Sequence, residues 1–403
     1  MSALMNDIYD VIIAGAGPAG GTAAYFLGQA GKRVLVIEKE NLPRYKTCGG
    51  GLSIDFLQRQ FPFSFEPAVQ SNVKAMSYAY HGRTVTVPIK RYQVGMVMRD
   101  QFDKLLVEQA KVELRQGVAI RTVVEDIQGV HVETQAGECF ESHYLIGADG
   151  ASSAVAHSLN LRQGKGLAAA IEAEVEVAPP IMESFRDRPL FIFGEIYQGY
   201  LWIFPKAGHL SVGIAALHPK HGELQATLKR VMASYGIPLD GTPLYGHPIP
   251  LYMGKGQIAT SRTLLVGDAA GLVDPLSGEG IRYAIKSGRL AAEAILSGHP
   301  ERYPRMVFRE IGLHHMLGIG VAKFFYTFED LCLMLGAPNP YTTQALVDML
   351  SDRTTMSGMM LRSILTFPLF LLVEAVALLA SRVGDPKDRQ RIRSLAYLGT
   401  IDE

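Results

Sequence analysis

The 403-residue sequence is short of cysteine, holding only Cys48, Cys139 and Cys332. Three scattered thiols build no disulfide framework and offer no Cys-x-x-Cys pair, so no metal site is expected from them. An excess of either charge is also missing, with 39 basic side chains against 39 acidic ones. Nucleic-acid recognition needs a basic surface that displaces counterions from phosphates, and this balance argues against such a partner. The N-terminus, MSALMNDIYDV, has no basic-then-apolar leader. With reduced thiols, that leads to the expectation of a cytoplasmic protein. Nor does an uninterrupted apolar run reach the ~20 residues of a spanning helix. The longest candidate, SILTFPLFLLVEAVALLAS from Ser363, contains Pro368 and is interrupted by Glu374. Two readings stay open for it: a buried core helix, or a helix lying on the cytosolic face of a membrane beside the basic flank Arg382, Lys387, Arg389, Arg391 and Arg393.

Glycine, by contrast, is abundant and clustered. YDVIIAGAGPAGGTAAYFLGQAGKRVLVIEKE reads as strand, glycine turn, helix and strand. Gly15, Gly17 and Gly20 fall at the spacing of a dinucleotide fingerprint, in which the turn, the close approach of backbone to a pyrophosphate and the helix–strand packing each need glycine. Pro18 and Ala19 open the helix on that pyrophosphate. Glu38, followed by Lys39, ends the second strand where a carboxylate accepts ribose hydroxyls. Two more apolar strands end in glycine-rich corners, YLIGADGASSAV at Asp149-Gly150 and TLLVGDAAGLVDPLSGEGIRYAIKSG at Gly267-Asp268. An Asp at such a strand end can bind a polyol like a ribityl chain. The loop through Pro275, Gly278 and Gly280 then leads into a helix starting at Ile281. Its apolar stripe is Ile281, Ile285, Gly288, Ala292 and Ile295, and its N-terminus suits an anionic group.

Together these motifs resemble the FAD-dependent p-hydroxybenzoate hydroxylase superfamily over about the first 300 residues. The resemblance implies an α/β fold: a Rossmann-like FAD-binding domain, an inserted antiparallel β-sheet substrate domain and a C-terminal helical region. The expected boundaries are 1–70, 99–165 and 260–300 for the FAD domain, 71–98 and 166–259 for the sheet domain, and 301–403 for the helices. It also implies that Arg99 touches the FAD phosphates and that Gly117 to Ile120, through Ala119, form a strand meeting adenine. Ala156 stands where relatives carry an arginine that assists the nicotinamide cofactor. The electron donor therefore stays open between NADPH and a ferredoxin-like redox partner.

Between the nucleotide segments the periodicity changes to two. IEAEVEV sets Ile171, Ala173, Val175 and Val177 on one face and Glu172, Glu174 and Glu176 on the other, a strand with one solvated side. AMSYAYHGRTVTVPI reads as a hairpin turning at His81-Gly82. In GYLWIFPKAGHLSVG, Tyr200, Trp202 and Phe204 share a face, and Trp202 is the only tryptophan. By periodicity alone that face is either core or the lining of a site.

Tyr-x-Trp-x-Phe-Pro, ending at Pro205 and followed by Gly213, resembles the motif of the geranylgeranyl reductase family, whose members saturate isoprenoid double bonds. The pattern departs after Gly213, where Ile214 and Ala215 replace the usual closing Gly-x-Gly. KTCGGGLS resembles that family's Cys-Gly-Gly loop, which implies Gly49 and Gly50 against the flavin and Cys48 toward the substrate. For Cys48 a small apolar filler and a thiol that tunes the flavin or delivers a proton both stand. The expected activity is FAD-dependent reduction of an isoprenoid or prenyl-lipid alkene, with Cys48 and Tyr200 as candidate catalytic residues. The alternatives are an oxygen-using monooxygenase or halogenase on the same fold, and a prenyl-lipid carrier without catalysis.

Overall fold

The computed structural model describes residues 8–89, 94–162, 166–254, 256–383 and 392. The chain divides into two units, each discontinuous in sequence. The first holds residues 1–46, 99–168 and 248–319, and the second holds 47–98, 169–247 and 320–403.

The first unit is the nucleotide unit, built on a sheet in the order Glu113–Gln116, Val34–Glu38, Tyr9–Ala14, Cys139–Gly147, Val130–Thr134 and Ile120–Glu125, with Thr263–Leu265 also paired to Cys139–Gly147. The pairs among the first four and Thr263–Leu265 are parallel. Val11, Ile12 and Ile13 are fully buried, as central parallel strands covered on both faces require. The helix Pro18–Gln29 begins with Pro at its first turn, where no backbone donor is lost. It packs on the helix Ile281–Leu296 so closely that a Cβ on Gly288 would lie 2.3 Å from the Ala19 carbonyl oxygen. The predicted stripe is therefore a helix–helix seam, with Ile285, Ala292 and Ile295 buried in it.

A second sheet, most of whose residues belong to the second unit, has the order Tyr245–Leu251, Gly166–Val175, Leu210–Leu217, Gly199–Pro205, Leu190–Phe193, Ala75–Tyr80 and Arg83–Pro88. Its hairpin turns at His81-Gly82 as the sequence predicts, with both residues at positive φ. The sheet is not wholly antiparallel, because Leu190–Phe193 runs parallel to Ala75–Tyr80. Along Gly199–Pro205, Leu201 and Ile203 point into a core shared with Val212, Ile214 and the helix Glu223–Ser234. Tyr200, Trp202 and Phe204 therefore take the opposite face. A small sheet of Gly51–Ser53, Val94–Val97 and Val69–Val73 completes the β structure.

Several expectations need correction. Residues 47–70, expected with the FAD domain, belong to the sheet unit, and 248–259 belong to the nucleotide unit. The C-terminal helices do not stand apart: 301–319 join the first unit and the remainder joins the second. Gly117 to Ala119 are not strand, because one strand ends at Gln116 and the next begins at Ile120. In this linker the Val118 amide bonds the Glu38 carbonyl and the Ala119 carbonyl accepts from Gln135. Glu172 is not on a solvated face but wholly buried.

The interrupted apolar stretch also differs from both open readings in extent. Met356–Val383 is one 28-residue helix with Pro368 inside it, and by length and composition it could cross a membrane. It is not a buried core helix. Ile364 is 65% and Leu365 68% exposed, with Leu361, Leu372 and Leu379 similar. Lys387, Arg389, Arg391 and Arg393 lie outside the described residues.

Candidate active site

In the nucleotide unit, the first glycine turn is locked to the second motif. Gly15 has φ +99°, and a Cβ there would lie 2.5 Å from the Ala148 carbonyl oxygen, while one on Gly20 would lie 1.9 Å from the Gly15 oxygen. Glu38 braces this turn. Its Oε2 accepts the Ala16 amide at 2.8 Å and its Oε1 the Glu40 amide at 3.1 Å, with Arg44 Nε 3.5 Å from Oε1. Lys39 is exposed beside it.

The helix that follows has no side-chain cap at Gly17. Two guanidinium groups converge there instead: the position of a Gly17 Cβ is 3.8 Å from Arg99 Nη2 and 3.9 Å from Arg44 Nη2. Buried Asp103 holds both, accepting from Arg99 at 2.9 and 2.8 Å and from Arg44 at 3.0 Å. Open helix amides, a positive dipole end and two fixed cations make an anion cradle that fits the pyrophosphate of FAD. The sequence singled out Arg99 only through its family resemblance. Arg44 and Asp103 were not singled out, since nothing in their spacing marks them.

Asp149 also has a structural task. Its carboxylate accepts the Ser153 hydroxyl at 2.5 Å and the Val155 amide at 3.1 Å, capping the short helix Ala154–Ser158. Burial raises its pKa against the pull of these donors. Although Ala156 replaces the expected arginine, a guanidinium reaches the same region from Arg162. It donates to the carbonyls of Ala151, at 3.1 Å, and Asp268, tying the Asp149-Gly150 corner to the Gly267-Asp268 corner. Burial lowers its pKa, while Asp268 and Asp149 oppose that shift. Gly280, with Pro275 and Gly278 in the loop before it, starts the helix at Ile281 without a side-chain cap, leaving its amides open for a second anionic group.

In the sheet unit, the Cys48 loop lies on the aromatic face. A Cβ on Gly49 would lie 2.8 Å from the Phe204 ring and 3.2 Å from Trp202 Nε1, so only glycine lets the loop sit there. A Cβ on Gly213, the cross-strand partner of Trp202, would lie 2.1 Å from Trp202 Cζ2. Trp202 thus sits in a slot that both glycines leave open. Phe191 joins the row, 5.1 Å from Phe204 and 6.0 Å from Tyr200 between ring centres. Tyr200 is partly exposed at one end of this row, and Pro205 closes the strand at the other.

Two buried charges that the sequence reading missed hold the loop. The Cys48 amide donates to Glu172 Oε1 at 2.6 Å. Lys206, 2% exposed, donates to the carbonyls of Gly49 at 2.7 Å and Val97 at 2.9 Å. Burial lowers the Lys206 pKa, opposed by Glu174, Cys48 and Glu172. The charged face of IEAEVEV was the available signal, and strand alternation misassigned it to solvent. Cys48 itself is a partly buried free thiol.

An FAD binding domain family matches residues 8–193. An uncharacterized protein of Methanosarcina barkeri is 34% identical over 79% of this chain and 84% of its own length. The chloroplastic geranylgeranyl diphosphate reductase of Arabidopsis thaliana is 29% identical over 73% of this chain and 67% of its own. The chain belongs to the geranylgeranyl reductase family of FAD-dependent oxidoreductases. The menaquinone reductase of Mycolicibacterium smegmatis is 29% identical over 79% of this chain and 84% of its own. A geranylgeranyl bacteriochlorophyll reductase-like crystal structure from Thermoplasma acidophilum has the same fold, with TM-score 0.71, 24% identity and coverage of 90% of this chain and 98% of that one. The uncapped helix end at Gly17 and the two arginines beside it have the charge and open amides that suit the phosphates of the FAD bound by such domains.

Proposed function

We propose that the protein saturates carbon–carbon double bonds of a geranylgeranyl-type isoprenoid or prenyl lipid. The observation that carries the proposal is the Cys48-Gly49-Gly50 loop seated on Trp202 and Phe204 of the Tyr-x-Trp-x-Phe-Pro strand. Bound FAD, once reduced, supplies the hydride. The chain's own part is to hold an unactivated alkene in place, exclude water and deliver a proton. Tyr200 and Trp202 offer π faces to positive charge developing on the alkene. Cys48 and Tyr200 are the candidate proton donors.

An apolar substrate also accounts for the exposed C-terminal surface. Leu361, Ile364, Leu365, Leu372 and Leu379 form a surface far richer in apolar groups than a soluble monomer exposes. In this proposal the helix Met356–Val383 contacts the cytosolic face of a membrane, where a prenyl lipid is found, and electrons arrive from NADPH or a ferredoxin-like protein. Geranylgeranyl diphosphate and menaquinone both carry a polyprenyl chain, so the named relatives fit a site that grips that chain.

The test is anaerobic. The flavin is reduced with dithionite, geranylgeranyl diphosphate is added, and flavin reoxidation and product mass are followed. Reoxidation with a gain of two hydrogens per reduced bond is expected. Reduced flavin that stays reduced until oxygen enters, with oxygen then appearing in the product, overturns the reductase in favour of a monooxygenase.

A further inference from the structure

One cluster in the nucleotide unit serves no part of the proposed reaction. Asp274 Oδ1 is saturated, accepting from the amides of Leu276 at 2.9 Å and Ser277 at 2.8 Å and from the Ser277 hydroxyl at 3.0 Å. Oδ2 therefore points the other way, 3.3 Å from His315 Nδ1 and 3.6 Å from His314 Nε2. Asp274 and His315 are wholly buried, and His314 lies at the edge with 12% of its side chain exposed.

With a neutral His315 ring, the protons at this cluster do not balance. His315 Nε2 lies 3.1 Å from the Leu272 carbonyl oxygen and must carry a hydrogen to make that bond. In a neutral ring Nδ1 is then a lone pair, and it faces a carboxylate oxygen. Among the described residues neither Asp274 Oδ2 nor His315 Nδ1 has a hydrogen-bond partner of acceptable geometry. Two buried acceptors side by side call for a cation.

We propose that Asp274, His314 and His315 bind one divalent first-row transition ion, for which zinc is the probe. Imidazole and carboxylate suit such ions, and with bonds of about 2.0–2.1 Å in tetrahedral array neighbouring ligand atoms lie about 3.3–3.4 Å apart. The observed separations of 3.3 and 3.6 Å agree. The outer contacts are also those of a metal site: the Leu272 carbonyl fixes the His315 tautomer, and the donors to Oδ1 orient the carboxylate. A π-helical turn at Phe308–Gly312 immediately precedes the helix bearing the two histidines, a feature that recurs at functional sites. Bound there, the ion ties the loop at Asp274, which leads to the open helix end at Gly280, to the helix Leu313–Thr327. Three protein ligands leave a coordination position for water.

The experiment uses tag-free, flavin-loaded protein, stripped with EDTA, desalted and titrated with zinc chloride in a calorimeter, with bound metal counted by elemental analysis. About one zinc per chain is expected, with a higher melting temperature in its presence. Asp274→Asn and His314→Gln should each weaken zinc binding by at least tenfold. The His314 variant, at the edge of the cluster, gives the answer if the Asp274 variant loses its flavin. Failure of the wild-type protein to bind zinc at micromolar concentration overturns the site, with a doubly protonated His315 ring in nitrogen NMR identifying the cation as a proton. Wild-type affinity in the His314 variant overturns it as well.

Discussion

Lys206→Met is expected to loosen the Cys48 loop by a measurable amount. Methionine keeps most of the apolar stem but removes the charge that donates to Gly49 and Val97. Each such charge-assisted bond contributes about 1.5–3 kcal/mol. Removing one member of a buried charged group also leaves the opposite charges near it less compensated, here Glu174 first and then Glu172, which is 0% exposed. The combined cost is about 3–5 kcal/mol. Trp202, the only tryptophan, lies against Gly49 and reports unfolding of this region by fluorescence in urea. The pH dependence supplies a second signature. Because the folded-state pKa of Lys206 is depressed below 10.5, the unfolded chain binds more protons between the two values. Wild-type stability should therefore gain from this residue as pH rises through that interval, and the variant should lose that gain. A loss below about 1 kcal/mol with an unchanged pH slope would refute the reasoning.

Gly213→Ala puts a methyl group where the indole lies, and it should cost about 1–3 kcal/mol and shift Trp202 emission. Unchanged emission would mean that the slot is not rigid. Arg44→Ala should weaken FAD retention about tenfold, roughly 1.4 kcal/mol, and raise the apoprotein fraction seen in the flavin absorbance. Full flavin occupancy at high salt would remove Arg44 from the cradle. Leu365→Lys with Leu372→Lys should reduce co-sedimentation with anionic phospholipid vesicles at least tenfold, and equal binding would exclude this helix as the contact. Cys48→Ala should lower alkene reduction while leaving flavin content intact if the thiol takes part in catalysis, and undiminished turnover assigns Cys48 to packing.

How much was legible depended on whether a residue acts through local spacing. Gly15, Gly17, Gly20 and the strand ends at Asp149 and Asp268 are local patterns, and each occupies its predicted place in the fold. Tyr200, Trp202 and Phe204 share a face because a strand alternates, and that period was visible. Glu172 shows where alternation fails. The solvent face it was assigned to is covered by the Cys48 loop, which comes from a distant part of the chain. Arg44, Asp103, Arg162 and Lys206 act on groups far away in sequence, so no window of residues announces them. Asp274 and the two histidines were missed for the same reason. In the C-terminal helix, Pro368 and Glu374 were weighed as interruptions, yet helix continuity survives both.

The chain passes between its two units five times, at 46/47, 98/99, 168/169, 247/248 and 319/320. Synthesis therefore cannot finish one unit before beginning the other. Leu145 and Ile146 wait on the strand Thr263–Leu265 for a partner on one side. At about 5–20 residues per second, that edge stays open for on the order of ten seconds. The corner at Asp268 and the open helix end at Gly280 emerge after it, long after the Gly17 turn and its arginines, so the candidate cofactor surface is completed only late in the synthesis of its unit. A ligand that needs both ends of that surface can stabilise only a nearly complete nascent chain.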